Sequence, residues 1–164
     1  MPVSDDLTCG SDSWIPSQEL EIKRRNLPHW SMDGAWYFIT FRVLFGKLSE
    51  REVCIVVEHI KRGHSKYYRL IAVSVMPDHV HVILCPNAGV SLSSIIRGIK
   101  GPAARLINSV RGTIGSLWQD ERWDRIIRDD SELQEKLTYM LQSPVKERLI
   151  EDPWSYSGWF FNTQ

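Results

Sequence analysis

Apolar and polar positions along the chain fall into a readable order of elements. Ala35-Trp36-Tyr37-Phe38-Ile39-Thr40-Phe41-Arg42-Val43 is rich in aromatic and β-branched residues and predicts a first strand. Val53, Val56, Val57 and Ile60 then recur at helical spacing. Ser49 precedes them as a cap, Glu52 sits at the capping-box position and Gly63 supplies a stop, which predicts a helix to about Arg62. Tyr67 to Val75 is mostly apolar and predicts a central second strand. Met76-Pro77-Asp78 makes a tight connection, and His79 to Leu84 predicts a third strand antiparallel to the second. Ser91 caps a long helix carrying Leu92, Ile95, Ile96, Ile99, Ala103, Leu106, Ile107 and Val110 on one face, with Gly101-Pro102 expected to kink or restart it. Residues 112–130 predict a short strand or an irregular connector, and Ser131 is expected to cap a last helix to about Leu149. The β-α-β-β-α order, followed by a β-like segment and a helix, matches a ferredoxin-like split βαβ fold of the α+β class. It has an antiparallel sheet, helices on one face and a further C-terminal helix.

Composition narrows the class without naming a chemistry. At 164 residues, 43% hydrophobic and 24% charged, the chain suits one globular domain. Five of its 20 acids and none of its 20 bases lie in residues 1–22, which read as an acidic, flexible arm; residues 23–164, the expected single domain, keep an excess of five positive charges. Cys9, Cys54 and Cys85 are odd in number and form no C-x-x-C, so a reducing, cytoplasmic setting is expected. The N-terminus lacks signal-peptide charge and no apolar run reaches spanning length, so no membrane partner is expected. Zinc deaminase, Walker A, nucleophile-elbow and zinc-protease motifs are all missing.

Two places carry candidate chemistry. On the third strand, His79 and His81 are two residues apart and project from one face, half of a divalent-metal site. Alone, so short a motif also permits two incidental histidines. On the last helix, Leu133, Leu137, Met140, Leu141, Val145 and Leu149 form an apolar stripe. Tyr139 stands roughly opposite it, on a face shared with Lys136, Ser143 and Lys146 whose cations attract phosphate. Pro144 interrupts this helix and is expected to bend it. Tyr156, set beside Trp154 and Trp159, reads as packing, and His59 and His64 read as a helix-surface and a loop residue. Arg24, Arg25, Trp30, Arg97, Lys100, Arg122, Arg125 and Arg128 are candidate DNA contacts through phosphate pairing and base stacking.

Taken in order, these segments resemble a known family. Met76-Pro77-Asp78-His79-Val80-His81 is similar to the MPDHVH signature of the single-tyrosine HUH transposases. Lys23 to Trp30 with Ala35 to Arg42, Trp118-Gln119 through Trp123-Asp124 to Ile127-Arg128-Asp129, and Leu137 to Leu149 resemble the REP-associated tyrosine transposase branch. The resemblance implies a metal-dependent single-stranded DNA endonuclease and strand transferase acting near DNA hairpins through a 5′-phosphotyrosine intermediate. It implies Tyr139 as nucleophile and His79 and His81 as ligands to Mg²⁺ or Mn²⁺. The branch completes its metal site with Asn or Gln four residues after the tyrosine; that position is Ser143 here, with Gln142 beside it, and either is a candidate third ligand. Arg148 stands where the branch usually has Gly. Because of Ser143, a domesticated or decayed, non-catalytic binder of structured DNA stays open as the alternative. Monomer or homodimer is likewise open, as is whether Tyr139 acts within its own subunit.

Overall fold

The computed structural model describes residues 34–163. Its elements are β1 (Trp36–Val43), α1 (Glu50–Arg62), β2 (Tyr68–Val75), β3 (His79–Pro86), α2 (Leu92–Arg111), β4 (Trp118–Ile127), α3 (Asp130–Lys146) and β5 (Trp159–Phe161). The strands form one sheet in the order β4-β1-β3-β2-β5, with every neighbouring pair antiparallel. This is the split βαβ arrangement expected from the sequence, with β5 added at the outer edge of β2.

Strand alternation creates two cores. Ile39, Phe41 and Val43 of β1, with Val80, Val82 and Leu84 of β3, turn to the face covered by α1 and α2. Trp36 of β1, Ile83 and Cys85 of β3 and Ile127 of β4 turn to the opposite face, against Leu133, Leu137, Met140 and Leu141 of α3. The odd–even alternation of β3 therefore sends His79 and His81 toward α3 while Val80 and Val82 fill the first core. Helices α1 and α2 share one face, and α3 stands alone on the other.

Helix boundaries follow their caps. Ser49 and Glu52 form the full capping box, as the spacing predicts. Gly63 ends α1 in a right-handed conformation rather than a left-handed one; a Cβ there would collide with the Tyr68 hydroxyl, which donates to Ile60 O. For α3 the cap is Asp129, not Ser131: its carboxylate accepts from Glu132 N at 2.8 Å, and Glu132 in turn accepts from Arg128 N and pairs with Arg125 of β4. The helix ends at Lys146, so Val145 and Leu149 are exposed instead of continuing the stripe. Residues placed in a short strand or connector form a ten-residue edge strand, β4.

Two prolines sit inside helices, and both helices continue through them. A proline has no N–H for the carbonyl four residues back. For Pro102 that carbonyl is Gly98 O, and His59 Nε2 on α1 lies 2.8 Å from it, placed to donate. For Pro144 it is Met140 O, and the buried Ser74 hydroxyl of β2 donates to it at 3.5 Å. Each orphaned acceptor is thus met from a neighbouring element, which explains why neither Pro breaks its helix. Ser74→Ala is expected to cost about 1 kcal/mol through the unsatisfied carbonyl. In a Pro144→Ala background the cost should nearly vanish, because the alanine brings its own backbone N–H. Urea unfolding of the four proteins of this cycle measures the coupling; equal costs in both backgrounds would show that the serine is not the proline's substitute donor.

Candidate active site on the α3 face of the sheet

The register of the central strands assembles the site. Thr40 lies opposite His81 and Arg42 opposite His79 across the β1–β3 pair, while Trp123 of β4 lies opposite Thr40. Residues Phe38, Thr40, Arg42, His81, Trp123, Glu135, Lys136 and Tyr139 line an open cleft of about 410 Å³ between the sheet and α3. Tyr139 is 47% exposed, whereas His79 and His81 are 7% and 5% exposed beneath it. The His81 ring stands 5.5 Å from that of Tyr139 and 4.7 Å from that of His79, centroid to centroid. Phe38 stacks on His81 at 5.3 Å. The expected histidine pair and the expected tyrosine, 58 residues apart for His81, thus meet in one place.

Each imidazole is oriented by a second group. The Asp78 carboxylate lies 2.7 Å from His79 Nδ1. Burial pushes the Asp78 carboxyl upward, but the His79 hydrogen bond and charge, together with the Arg42 charge, outweigh it and leave the group below its usual value. An ionised carboxylate only accepts, so His79 Nδ1 carries the proton and Nε2 keeps its lone pair when the ring is neutral. His81 Nδ1 bonds the Thr40 hydroxyl at 2.8 Å, and its Nε2 is buried with no partner among the described residues. Burial first, then the charges of His79, Arg42 and Lys136, depress the His81 pKa to about 3. His81 is therefore neutral across the physiological range, with one nitrogen fixed and the other unpaired.

The groups expected from α3 divide. Lys146 Nζ sits 5.7 Å over the Tyr139 ring and Lys136 Nζ 5.2 Å over Phe38, so the cationic surroundings of the tyrosine are present. Ser143 is buried, and its hydroxyl donates to Tyr139 O at 2.7 Å, turned back into its own helix. Gln142 is half-buried. A carboxylate that the sequence reading missed lies one turn further on: Asp78, His79 and Glu147 each offer a ligand atom, all within 4.8 Å of one another. Its signal was the continued four-residue spacing, Tyr139, Ser143, Glu147.

The basic candidates also divide. Arg125 and Arg128 are exposed on or beside the α3 face. Arg122 reaches Ser93 of α2 and pairs with Asp124, and exposed Arg97 lies on α2, so both stand on the opposite side of the sheet. Lys100 donates to Gln119 O at 2.7 Å, tying α2 to β4. Arg24, Arg25 and Trp30, like the acidic arm, lie outside the described residues. Among the described residues no helix is long and apolar enough to cross a membrane. Tyr156 donates to Val75 O at 2.7 Å, a packing role as expected.

A ferredoxin-like sheet thus carries a buried histidine pair beneath an exposed tyrosine on the helix above it. The family model described as transposase IS200-like matches residues 42–126, over half of the chain, and the chain belongs to that family. It is 25% identical over 145 residues to a Haemophilus influenzae protein classed as a REP-associated tyrosine transposase, covering 76% of this chain and 80% of that relative. A solved structure of a REP-associated tyrosine transposase bound to a REP hairpin shares the fold. Its TM-score is 0.56 at 21% identity, over 76% of this chain and 74% of that one.

Proposed function

We propose that the domain is a metal-dependent single-stranded DNA endonuclease and strand transferase, acting beside DNA hairpins through a covalent tyrosine–phosphate link. The observation that carries this reading is His81. It is a buried, neutral imidazole with an unpaired Nε2, in ring contact with both His79 and the exposed Tyr139. An unsatisfied buried nitrogen is costly unless a ligand takes it. Two oriented imidazoles beside carboxylates fit a divalent cation, and His79 and His81 would hold Mg²⁺ or Mn²⁺. When bound, such an ion supplies Lewis-acid polarisation of the scissile phosphate.

The chain's own groups supply the rest. Arg42, Lys136 and Lys146 attract and seat the phosphodiester, and the exposed Trp123 offers a face on which a base stacks. Tyr139 Oη attacks phosphorus in line, its proton passing to solvent. The Oη–P bond forms as the P–O3′ bond breaks, and the departing 3′ oxygen takes up a proton. One strand is left as a 5′-phosphotyrosine and the other ends in a 3′-hydroxyl. Attack by a 3′-hydroxyl reverses the step, so bond energy is conserved without a nucleotide. Likeness to a chain bound to a REP hairpin supports hairpin DNA as the partner.

Wild-type protein with a hairpin carrying single-stranded flanks and Mn²⁺ should yield a covalent adduct on a denaturing gel, and chelation should prevent it. His79→Ala/His81→Ala should lose the adduct by about 100-fold or more while still binding the hairpin. Undiminished adduct in that variant would overturn the metal-dependent reading. One observation, the Ser143 hydroxyl turned into the helix, favours a second reading as a non-catalytic hairpin binder. Hairpin binding by wild type with no adduct at any metal concentration would select it.

A further inference from the structure

The helix-borne partner of the histidine pair is the open question of this site. Resting on the metal-dependent reading above, we infer that Glu147, not Ser143 or Gln142, supplies the α3 ligand of the divalent-metal site, with Asp78 beside it. One observation places this carboxylate at the site, and two more concern its competitor and its surroundings.

The first is proximity. A Glu147 oxygen, an Asp78 oxygen and a His79 ring nitrogen lie mutually within 4.8 Å, a spacing that small side-chain movements bring to a single ion. The second is the competition. Ser143 has its proton committed to Tyr139 O, and a serine hydroxyl is a weaker and shorter ligand than a carboxylate. The third is the pair of imidazoles: His81, 5% exposed with Nε2 unpartnered, has its ring 4.7 Å from that of His79, so a second buried nitrogen lies beside the histidine that the carboxylates flank.

The position of Glu147 is otherwise unfavourable, which gives the arrangement its meaning. It is the C-cap of α3, where the helix macrodipole disfavours negative charge, and no hydrogen bond or ion pair holds its side chain among the described residues. A second carboxylate, Asp78, stands close by. A cation relieves both repulsions at once. The backbone at this point is firmly set. Glu147 N donates to Ser143 O at 3.0 Å, Arg148 N to Val145 O at 3.0 Å and Leu149 N to Pro144 O at 2.9 Å, which together form a Schellman closure. Arg148 takes the left-handed position, φ 58°, normally given to glycine, at a cost on the order of 1 kcal/mol. Glu147 is thereby held on a fixed terminus and not on a free tail.

Mn²⁺ titration of the full-length protein without DNA, followed by electron paramagnetic resonance of the free ion, tests the assignment apart from catalysis. Glu147→Ala, which removes the side-chain oxygens altogether, should weaken Mn²⁺ binding at least about tenfold. Ser143→Ala and Gln142→Ala should stay within about twofold of wild type, because neither removes a ligand. Unchanged binding in Glu147→Ala would overturn the inference, and loss of binding in Ser143→Ala or Gln142→Ala beside it would return the role to that residue. Unchanged binding in His79→Ala and His81→Ala would instead overturn the metal site as a whole. Glu147 is exposed, so its variant should keep the wild-type melting temperature in chelator.

Discussion

Tyr139→Phe is expected to remove the covalent protein–DNA adduct, by at least about 10³-fold, while leaving hairpin affinity within about twofold. The size follows from the chemistry: loss of a nucleophilic oxygen leaves only what binding and positioning contribute. The selectivity follows from the structure. Tyr139 is 47% exposed, and phenylalanine keeps the ring that meets His81 at 5.5 Å and lies under Lys146 at 5.7 Å. Stability should therefore change by no more than about 0.5 kcal/mol. End-labelled DNA with single-stranded flanks and Mn²⁺, resolved on a denaturing gel, measures the adduct; an electrophoretic shift measures affinity. Persistence of the adduct in the phenylalanine variant would place the nucleophile elsewhere. Tyr156 is a poor substitute, since its hydroxyl is spent on Val75 O.

What could be read from the sequence was local. Capping residues and helical or alternating periodicity fixed α1, α2, β1, β2 and β3 closely, because each is set by residues within a turn or two of one another. Likewise strand alternation put His79 and His81 on one face and the helix stripe left Tyr139 out of the core, and the structure brings these three rings into contact. What escaped depends on contacts between elements. Three consecutive residues, Asp129, Asp130 and Ser131, can all cap a helix, and the choice of Asp129 is settled by Glu132 reaching back to Arg128 N and Arg125. Thr40 and Phe38 enter the site only through the β1–β3 register, which no single segment encodes, although the alternation of Phe38, Thr40 and Arg42 with Ile39, Phe41 and Val43 marked them as one face. Charge composition cannot say on which side of a sheet an arginine lies, so Arg97, Arg122 and Arg125 looked equivalent. Pro102 is expected to kink or restart its helix and Pro144 to bend its own; both helices continue through them, and His59 and Ser74, distant in sequence, supply what each proline lacks.

Arg111→Ala should lower stability by about 2 kcal/mol at pH 7, the range for hydrogen bonds to a charged group. Its guanidinium holds the buried Glu52 carboxylate through Nε at 2.5 Å and Nη2 at 2.9 Å, and also donates to Lys47 O. Glu52 is at the same time the capping-box acceptor for Ser49 N, so one carboxylate joins the start of α1 to the end of α2. Removing the arginine leaves an unpaired charge under cover. Arg111 hydrogen bonding first, against burial, and then Ser49 and the Arg111 charge, hold the Glu52 pKa below its ordinary value in the folded protein. A group depressed on folding contributes stability that is complete above its unfolded pKa, about 4.3, and that fades as pH falls through the folded value. The gap between wild type and Arg111→Ala should accordingly be widest near neutrality, about 4–8 °C in melting temperature, and close progressively below pH 4. Adding Glu52→Gln to the variant should recover part of the loss at pH 7, since glutamine also serves the capping box and carries no charge to strand. A gap that stays constant from pH 7 to pH 3, or a double variant no more stable than Arg111→Ala, would show that the arginine acts by packing alone and that the ion pair does not join the two helices.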